Sequence, residues 1–339
     1  MVLINYFNKT YKNINKTINS FNKLNLINKL FIIFLILLFI SCIFNSFNNI
    51  PDYYSLENFT FSINDGKKYE KKIDNNVYDL FYSKYYDAIH LNKDRNMYEF
   101  KEIKKISKKD NNIKILDVGC GTGYTVKIFQ ENNYNILGLD KSEAMISKAK
   151  SNYSNCEFIV NDILKSNIFD YEIFSHILCL GKTIYEIKDK ETFFENCYSI
   201  LSKNGLLIIN LINRDKFKPY VQNKDSNTLY DPEKYGKKVN EIIVKFDKNN
   251  EFISKYKLKN LNVSKNNNKT DNSVTPFAMY NEKFSNFKTN QTRENEINLY
   301  MPEINKIIDL AIAKNFVLFK KIKLEPINYN NEYLYIFKK

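Results

Sequence analysis

Three of the chain's eight glycines, Gly119, Gly121 and Gly123, lie within five positions directly after the apolar run at residues 113–118. A strand that turns into a helix through such a loop leaves backbone N–H groups facing a cavity, and glycine lets a ligand come close because it has no side chain. The dinucleotide fingerprint G-x-G-x-x-G would need glycine where Tyr124 stands, and no Gly-Lys-Ser/Thr of a phosphate-binding loop follows. The spacing therefore indicates another kind of cofactor loop and disfavours an NAD-dependent oxidoreductase.

Acidic residues follow the glycine loop at the ends of later apolar runs. Asp140 ends the run at residues 134–140, 23 residues after Asp117. A carboxylate in that place can accept hydrogen bonds from both ribose hydroxyls of an adenosine. Asp162 lies at the end of a third run, where an Asp alone is often only a turn former. Asp140 is therefore a candidate for binding the ribose of an adenosine, whereas Asp162 alone indicates no particular ligand.

Residues 115–123, Ile-Leu-Asp-Val-Gly-Cys-Gly-Thr-Gly, resemble motif I of the class I S-adenosylmethionine-dependent methyltransferases, and the resemblance covers most of the chain from about Val77 onward. It implies that the glycine loop abuts the methionine part of S-adenosylmethionine, with Asp117 near the amino group. Residues 140–145 resemble the family's D-x-S-x-x-M stretch, which implies that Met145 lies near the adenine, and Asp162 matches the position that hydrogen-bonds the adenine amino group. The residues assigned to the cofactor in this way are Tyr86, Asp117, Gly119, Cys120, Gly121, Gly123, Asp140, Lys141, Met145, Asp162, Ile163 and Leu180.

Several of these assignments have a structural alternative. Ser142 can simply be a helix N-cap, and Met145 can be core filler. Tyr82, Tyr85 and Tyr86 resemble tyrosines that some small-molecule members place over the methionine end, but aromatic pairs on a helix are more often packing contacts. The fourth apolar run leads to Leu180, where the family lines the gap between cofactor and acceptor. The absence of an acidic or Asn-Pro-Pro-Tyr-like signature there disfavours methylation of DNA or of an amide nitrogen.

The sequence indicates no catalytic residue. Methyl transfer from a sulfonium is an in-line displacement whose leaving group departs neutral, so alignment and exclusion of water supply much of the acceleration. A general base is needed only where the acceptor must lose a proton. His176 lies inside an apolar run and His90 on a helical segment upstream, and a structural role is expected for both. Because the five cysteines have no Cys-x-x-Cys spacing, no metal site or disulfide framework is expected.

Short apolar runs alternate with helical patterns from residue 113 onward, as in βαβ units. Continuous apolar strands are typical of a parallel sheet covered on both faces, so the alternation predicts an α/β fold. The resemblance implies a Rossmann-like seven-stranded, mostly parallel sheet flanked by helices, with its last strand antiparallel. Residues 214–300 are expected to form an antiparallel β insertion that acts as a lid over the acceptor pocket. The predicted organisation is a basic N-terminal tail at 1–29, a transmembrane helix at 30–47, a linker at 48–75 and a methyltransferase domain at 76–339.

Residues 30–47 form an 18-residue run without a charge, about 27 Å as a helix against a hydrocarbon core of ~30 Å. A core helix would have a polar face and a cleaved signal an Ala-x-Ala-like site, and this run has neither. It therefore predicts a retained single-pass membrane anchor. Because residues 1–29 contain five lysines and no acid, the positive-inside rule predicts a catalytic domain on the non-cytoplasmic side. The cytosolic origin of the cofactor and the unpaired cysteines argue for the opposite orientation.

The formal net charge of +13 comes from 51 Lys and Arg against 38 Asp and Glu. The lysines are scattered singly and no base-reading motif accompanies them, so no dedicated nucleic-acid surface is indicated. A small-molecule acceptor with an amine or hydroxyl group is the first expectation, because small-molecule members of the family carry insertions at this place. A protein or a lipid head group comes next. The other alternative is a membrane-tethered nucleotide-fold binding protein without turnover, and the oligomeric state stays open.

Overall fold

The computed structural model describes residues 22–48, 68–107, 113–217, 241–259 and 277–339. The chain divides into two units, residues 1–58 and residues 59–339. The helices are α1 (Leu26–Asn48), α2 (Leu80–His90), α3 (Lys93–Ile106), α4 (Tyr124–Glu131), α5 (Glu143–Asn152), α6 (Thr183–Glu186), α7 (Lys190–Ile200) and α8 (Ile304–Ala313). The strands are β1 (Tyr69–Ile73), β2 (Lys114–Val118), β3 (Asn135–Asp140), β4 (Glu157–Val160), β5 (Phe174–Cys179), β6 (Leu201–Ile212), β7 (Glu241–Lys245), β8 (Asn250–Lys259), β9 (Phe277–Asn286), β10 (Gln291–Leu299), β11 (Val317–Lys323) and β12 (Glu332–Lys338).

A seven-stranded sheet with the order β11-β12-β6-β5-β2-β3-β4 forms the centre of the second unit. Strands β2 to β6 pair in parallel, whereas β12 pairs antiparallel with both β6 and β11. The predicted seven-stranded, mostly parallel sheet with a reversed last strand is confirmed.

The central strands are apolar because both faces of the sheet are covered. In β2, Ile115, Leu116 and Val118 are at most 2% exposed, as expected for a parallel strand between two helical layers. Phe129 of α4 packs edge-on against Phe100 of α3, with ring centroids 4.9 Å apart. This packing fixes α4, and with it the loop from which α4 starts.

A second sheet of five strands has the order β1-β10-β9-β8-β7. Strands β7 to β10 pair antiparallel with their neighbours and lie inside the predicted insertion at 214–300. Strand β1 pairs in parallel with β10, so the sheet takes one strand from upstream of the parallel sheet. The prediction of a linker over 48–75 is therefore wrong for residues 69–73, because this short polar strand obtains its partner from a distant part of the chain.

Arg293 of β10 joins the second sheet to the start of α2. Its side chain is 1% exposed and its Nη1 donates to both oxygens of Asp79, at 2.8 and 3.0 Å. Its Nη2 donates to the Val77 carbonyl oxygen at 3.0 Å. Asp79 is also the N-cap of α2 and accepts from the backbone N–H of Tyr82 at 3.1 Å. The position of α2 thus depends on a buried arginine in the second sheet.

The predicted transmembrane helix is wrong. A helix does form there, at Leu26–Asn48, but none of the helices in the described parts of the chain is long and apolar enough to cross a membrane. The predicted single-pass membrane location, and the placement of the catalytic domain across that membrane, are wrong for the same reason.

Candidate functional site

The glycine loop, residues 119–123, joins β2 to α4. Gly119, Gly121 and Gly123 have φ angles of +71°, +55° and +89°, in the left-handed region that glycine adopts without a steric penalty. The N–H groups of Gly119 and Cys120 donate to the carbonyl oxygen of Leu139 at 2.7 and 3.1 Å. The loop is therefore fixed to the end of β3.

The three glycines differ in what surrounds them. A methyl group at Gly119 would lie 2.7 Å from the hydroxyl of Thr183, and one at the third glycine would lie 2.6 Å from the ring of Phe158. A methyl group at Gly121 would meet only the ring of Tyr86, at 3.8 Å. The first and third glycines therefore allow close packing, whereas Gly121 keeps open the space beside Tyr86.

We expect Gly119→Ala to lower the free energy of unfolding by about 2 to 5 kcal/mol, because left-handed strain adds to crowding against Thr183. Gly181→Ala is the matched control. Gly181 has a φ of +62° but no atom within 4 Å of the added methyl group, so only the strain of about 1 to 2 kcal/mol should remain. Urea unfolding of both variants measures the difference, and equal losses would contradict the packing role of Gly119.

Asp140, at the end of β3, contacts the glycine loop directly. Its Oδ2 accepts from the N–H of Gly121 at 3.0 Å, and its Oδ1 accepts from the N–H of Ser142 at 2.9 Å. Burial raises the pKa of this carboxyl, against the opposing effect of the two backbone hydrogen bonds. Each oxygen keeps a further lone pair with which a ligand hydroxyl can bond.

Asp117 lies one strand away and is 3% exposed. Burial, followed by the nearby charges of Glu99 and Asp140, raises its pKa to about 8. A carboxyl in such surroundings would ionise more readily beside a cation. Asp117 is therefore suited to meet a positively charged group that enters the cavity.

A cavity of about 590 Å³ lies against the glycine loop, α2 and the second sheet. Six of the residues assigned to the cofactor line it, and they are Tyr86, Asp117, Gly119, Cys120, Gly121 and Leu180. The other six lie outside its lining, and they are Gly123, Asp140, Lys141, Met145, Asp162 and Ile163. The structure thus brings together the residues assigned to the methionine end.

The residues assigned to the adenine end adopt the structural roles that were left open. The N–H of Met145 donates to the hydroxyl of Ser142 at 3.1 Å, so Ser142 is the N-cap of α5, and the Met145 side chain is buried. Asp162 accepts from the backbone N–H two residues later at 2.9 Å, as in a turn. Ile163 is buried and Lys141 is exposed. These roles leave the adenine assignments as predictions.

Aromatic rings on α2 extend from the glycine loop into the cavity. The ring centroid of Tyr86 lies 5.7 Å from that of Tyr82 and 4.9 Å from that of His90. Preceding the helix, Tyr78 donates its hydroxyl proton to Glu186 at 2.8 Å. The residues follow each other at intervals of four, so the helix presents them on one face.

The sequence predicted only a structural role for His90. Its Nε2 lies 2.7 Å from the hydroxyl of Tyr82 and 3.1 Å from Oε1 of Glu282, a residue of β9 that is 1% exposed. Burial alone would raise the pKa of Glu282, but the hydrogen bond and charge of His90 lower it. Nearby, Lys182 has its Nζ 4.1 Å from the ring centroid of Tyr280, and burial lowers its pKa.

The four-residue spacing from Tyr82 through Tyr86 to His90 is a signal that could have indicated a shared helix face. No signal in the sequence indicated Glu282, because its strand comes about 190 residues later and meets His90 only through the second sheet.

A family model described as "Methyltransferase domain" matches residues 109–270. Over 113 residues the chain is 33% identical to the ubiquinone/menaquinone biosynthesis C-methyltransferase UbiE of Campylobacter jejuni, covering 30% of this chain and 45% of that protein. The chain thus spans less than half the length of this relative.

Two solved structures have a similar fold. The CcbJ methyltransferase from Streptomyces caelestis has a TM-score of 0.55 and 11% identity, covering 77% of this chain and 97% of its own. The SAM-bound CalS10 of Micromonospora echinaspora, an amino pentose methyltransferase, has a TM-score of 0.50 and 13% identity, covering 76% and 95%.

Proposed function

We propose that the chain, whose residues 109–270 match a methyltransferase domain of the class I S-adenosylmethionine-dependent family, transfers the methyl group of this cofactor to a small molecule bound in the cavity. The observation that carries the proposal is the opening at Gly121, where a side chain is absent beside Tyr86 and the cavity begins. When bound, the cofactor supplies an activated methyl group on a sulfonium. The residues of the chain bind, orient and shield it.

The cofactor would lie across the ends of β2 and β3. Gly121 would admit the methionine part, and Asp117 would meet its ammonium group. Asp140 would accept the two ribose hydroxyls with the lone pairs that its backbone contacts leave available. Tyr86 would cover the methionine end, where its ring excludes water from the transferring methyl group.

A small acceptor is favoured by the size and cover of the cavity. A volume of about 590 Å³ is in the range of small-molecule sites. The lining includes Tyr280 and Glu282 of β9, so the second sheet contributes to the wall. The names of UbiE, which refers to quinone biosynthesis, and of CalS10, which refers to an amino pentose, support an acceptor of this class.

Binding of S-adenosylhomocysteine, measured by calorimetry, and methyl transfer from labelled S-adenosylmethionine into a metabolite extract test the proposal together. We expect binding without added metal and label in a small-molecule fraction. Label recovered only in protein or lipid would contradict a small-molecule acceptor and identify protein or lipid as the acceptor. Binding without any transfer would favour a binding protein that has lost turnover.

Asp117 gives the cofactor site an expected pH dependence. Its pKa of about 8 means that it is largely protonated at pH 6 and must release a proton to pair with the ligand's ammonium. Affinity for S-adenosylhomocysteine should therefore rise by up to tenfold per unit from pH 5.5 to 7.5, below the amino-group pKa of about 7.7 to 8.0. Asp117→Asn should abolish the rise, whereas the exposed Asp170→Asn should keep it. A flat profile in the parent chain would contradict the role of Asp117.

A further inference from the structure

His90 lies in the last turn of α2, one helical turn beyond Tyr86, and lines the cavity. The described residues provide partners for its Nε2 alone: the Tyr82 hydroxyl at 2.7 Å and the Glu282 carboxylate at 3.1 Å. No described residue hydrogen-bonds to its Nδ1. The ring thus has one nitrogen held by the protein and a second nitrogen available to a molecule in the cavity.

The partners of Nε2 determine which nitrogen carries the proton. Glu282 stays ionised because His90 lowers its pKa, and an ionised carboxylate can only accept hydrogen bonds. Burial raises the pKa of Tyr82 well above its usual value, so its hydroxyl keeps its proton. The arrangement therefore favours a proton on Nε2 and a lone pair on Nδ1, as a carboxylate partner does for histidine elsewhere.

We propose that His90, oriented by Glu282 and Tyr82, is the general base that removes a proton from the nitrogen or oxygen of the acceptor during methyl transfer. This inference rests on the proposed function. It narrows the acceptor to a molecule that has an N–H or O–H group at the atom methylated. His90 is the catalytic residue in this proposal, and Glu282 and Tyr82 are positioning residues.

The proposed step balances without any further reactant. The acceptor N–H or O–H bond breaks and its proton passes to Nδ1 of His90. The acceptor lone pair forms a bond to the methyl carbon, while the carbon–sulfur bond breaks and leaves its electron pair on sulfur. The positive charge thus passes from the sulfonium to the imidazolium, which Glu282 stabilises, and the proton later leaves to water.

Charged and titratable groups on three elements surround His90. Only Glu282 and Tyr82 contact the ring nitrogen, while Lys182 acts through Glu282 and lowers the pKa of that carboxyl. The groups are Tyr82, Tyr86 and Asp87 on α2, Glu282 on β9, and Lys182 and Glu186 in and before α6.

The tautomer of His90 can be read without turnover, because the chain has only two histidines. Burial lowers the pKa of His176 to about 4. In the full chain labelled with nitrogen-15 histidine and without ligand, we expect long-range proton–nitrogen spectra to show the Nε2–H form. Glu282→Gln should move the His90 titration measured in these spectra to lower pH, and Glu296→Gln, at a partly exposed position in the same sheet, should leave it unchanged. An Nδ1–H form, or a titration unmoved by Glu282→Gln, would overturn the proposal.

The rate of label transfer into the metabolite extract gives the second measurement, recorded against pH at saturating S-adenosylmethionine. The parent rate should fall tenfold per pH unit on the acidic side, because a protonated imidazole cannot accept the acceptor's proton. His90→Gln should be on the order of 10² to 10⁴ slower and lose this acidic limb, and Glu282→Gln should move the limb to lower pH by the shift seen in the spectra. The proposal would be overturned if the acidic limb of the pH–rate profile persisted in His90→Gln. It would also be overturned if Glu282→Gln lowered the rate equally at every pH, because His90, Glu282 and Tyr82 would then have a purely structural role.

S-adenosylhomocysteine binding separates this inference from the proposed function. We expect both variants to bind it as the parent does, since neither side chain touches the glycine loop. A parent chain that binds none and transfers no label contradicts the proposed function, whereas the tautomer and the titration shift still decide whether Glu282 orients His90.

Discussion

Replacing Arg293 with alanine is expected to lower the free energy of unfolding by about 3 to 5 kcal/mol, the cost of breaking a buried ion pair by removing one partner. The value should lie toward the lower end, because the Asp79 side chain is 35% exposed and can recruit water. The substitution also leaves the Val77 carbonyl oxygen without its donor. Because Asp79 caps α2, the helix that bears Tyr86 should loosen, and affinity for S-adenosylhomocysteine should fall as well.

Thermal and urea unfolding, with calorimetry of ligand binding, measure these effects. Lys71→Ala is the matched control, since it removes a cation from the same sheet whose partner Glu296 is at the surface, and such pairs contribute about 1 kcal/mol or less. A loss under about 1 kcal/mol for Arg293→Ala would contradict its role as the connection between the second sheet and α2.

The second large effect is expected at Asp140. Asp140→Ala should weaken S-adenosylhomocysteine binding by about 10² to 10⁴, since two hydrogen bonds to a charged group contribute ~1.5 to 3 kcal/mol each and 1.4 kcal/mol is tenfold. Asp140→Asn tests the charge with little change in shape, and the exposed Asp309→Asn is the control for a surface carboxylate.

Asp140 also accepts the N–H of Gly121, so each variant needs a thermal unfolding curve to separate a displaced loop from a lost ligand contact. Unchanged affinity for S-adenosylhomocysteine in a folded Asp140→Ala variant would contradict the assignment of Asp140 to the ribose.

The parallel sheet and the glycine loop could be predicted because their determinants are contiguous in the sequence. Residues 115–123 specify a buried strand, a turn with three left-handed positions and a helix start, each through local rules. Asp140 lies next to the loop because parallel neighbours end at the same edge of the sheet, and it contacts Gly121.

The partners of His90 and Arg293 could not be predicted, because they depend on contacts between distant strands. Glu282 lies in an Asn- and Lys-rich stretch that resembles a surface strand in composition, yet the fold buries it to 1% exposure. Arg293 is buried to the same degree by its neighbours. A charge pattern in the sequence gives no indication of which acid will be enclosed with which base.

The predicted membrane helix was wrong for a different reason. Residues 30–47 carry no charge, but none of the helices in the described parts of the chain is long and apolar enough to cross a membrane. The absence of charge over 18 residues was therefore not sufficient evidence for a membrane span.

The pairing of β1 with β10 has a consequence for the order of events on the ribosome. Lys71 and its partner Glu296 are 225 residues apart, and at about 5 to 20 residues per second the first strand waits on the order of 10 to 45 seconds for the second to be made. During that time β1 has no edge to join, and the arginine that holds the start of α2 does not yet exist. The nascent chain can assemble β2 to β5 early, but the wall that encloses the cavity is completed only near the end of synthesis.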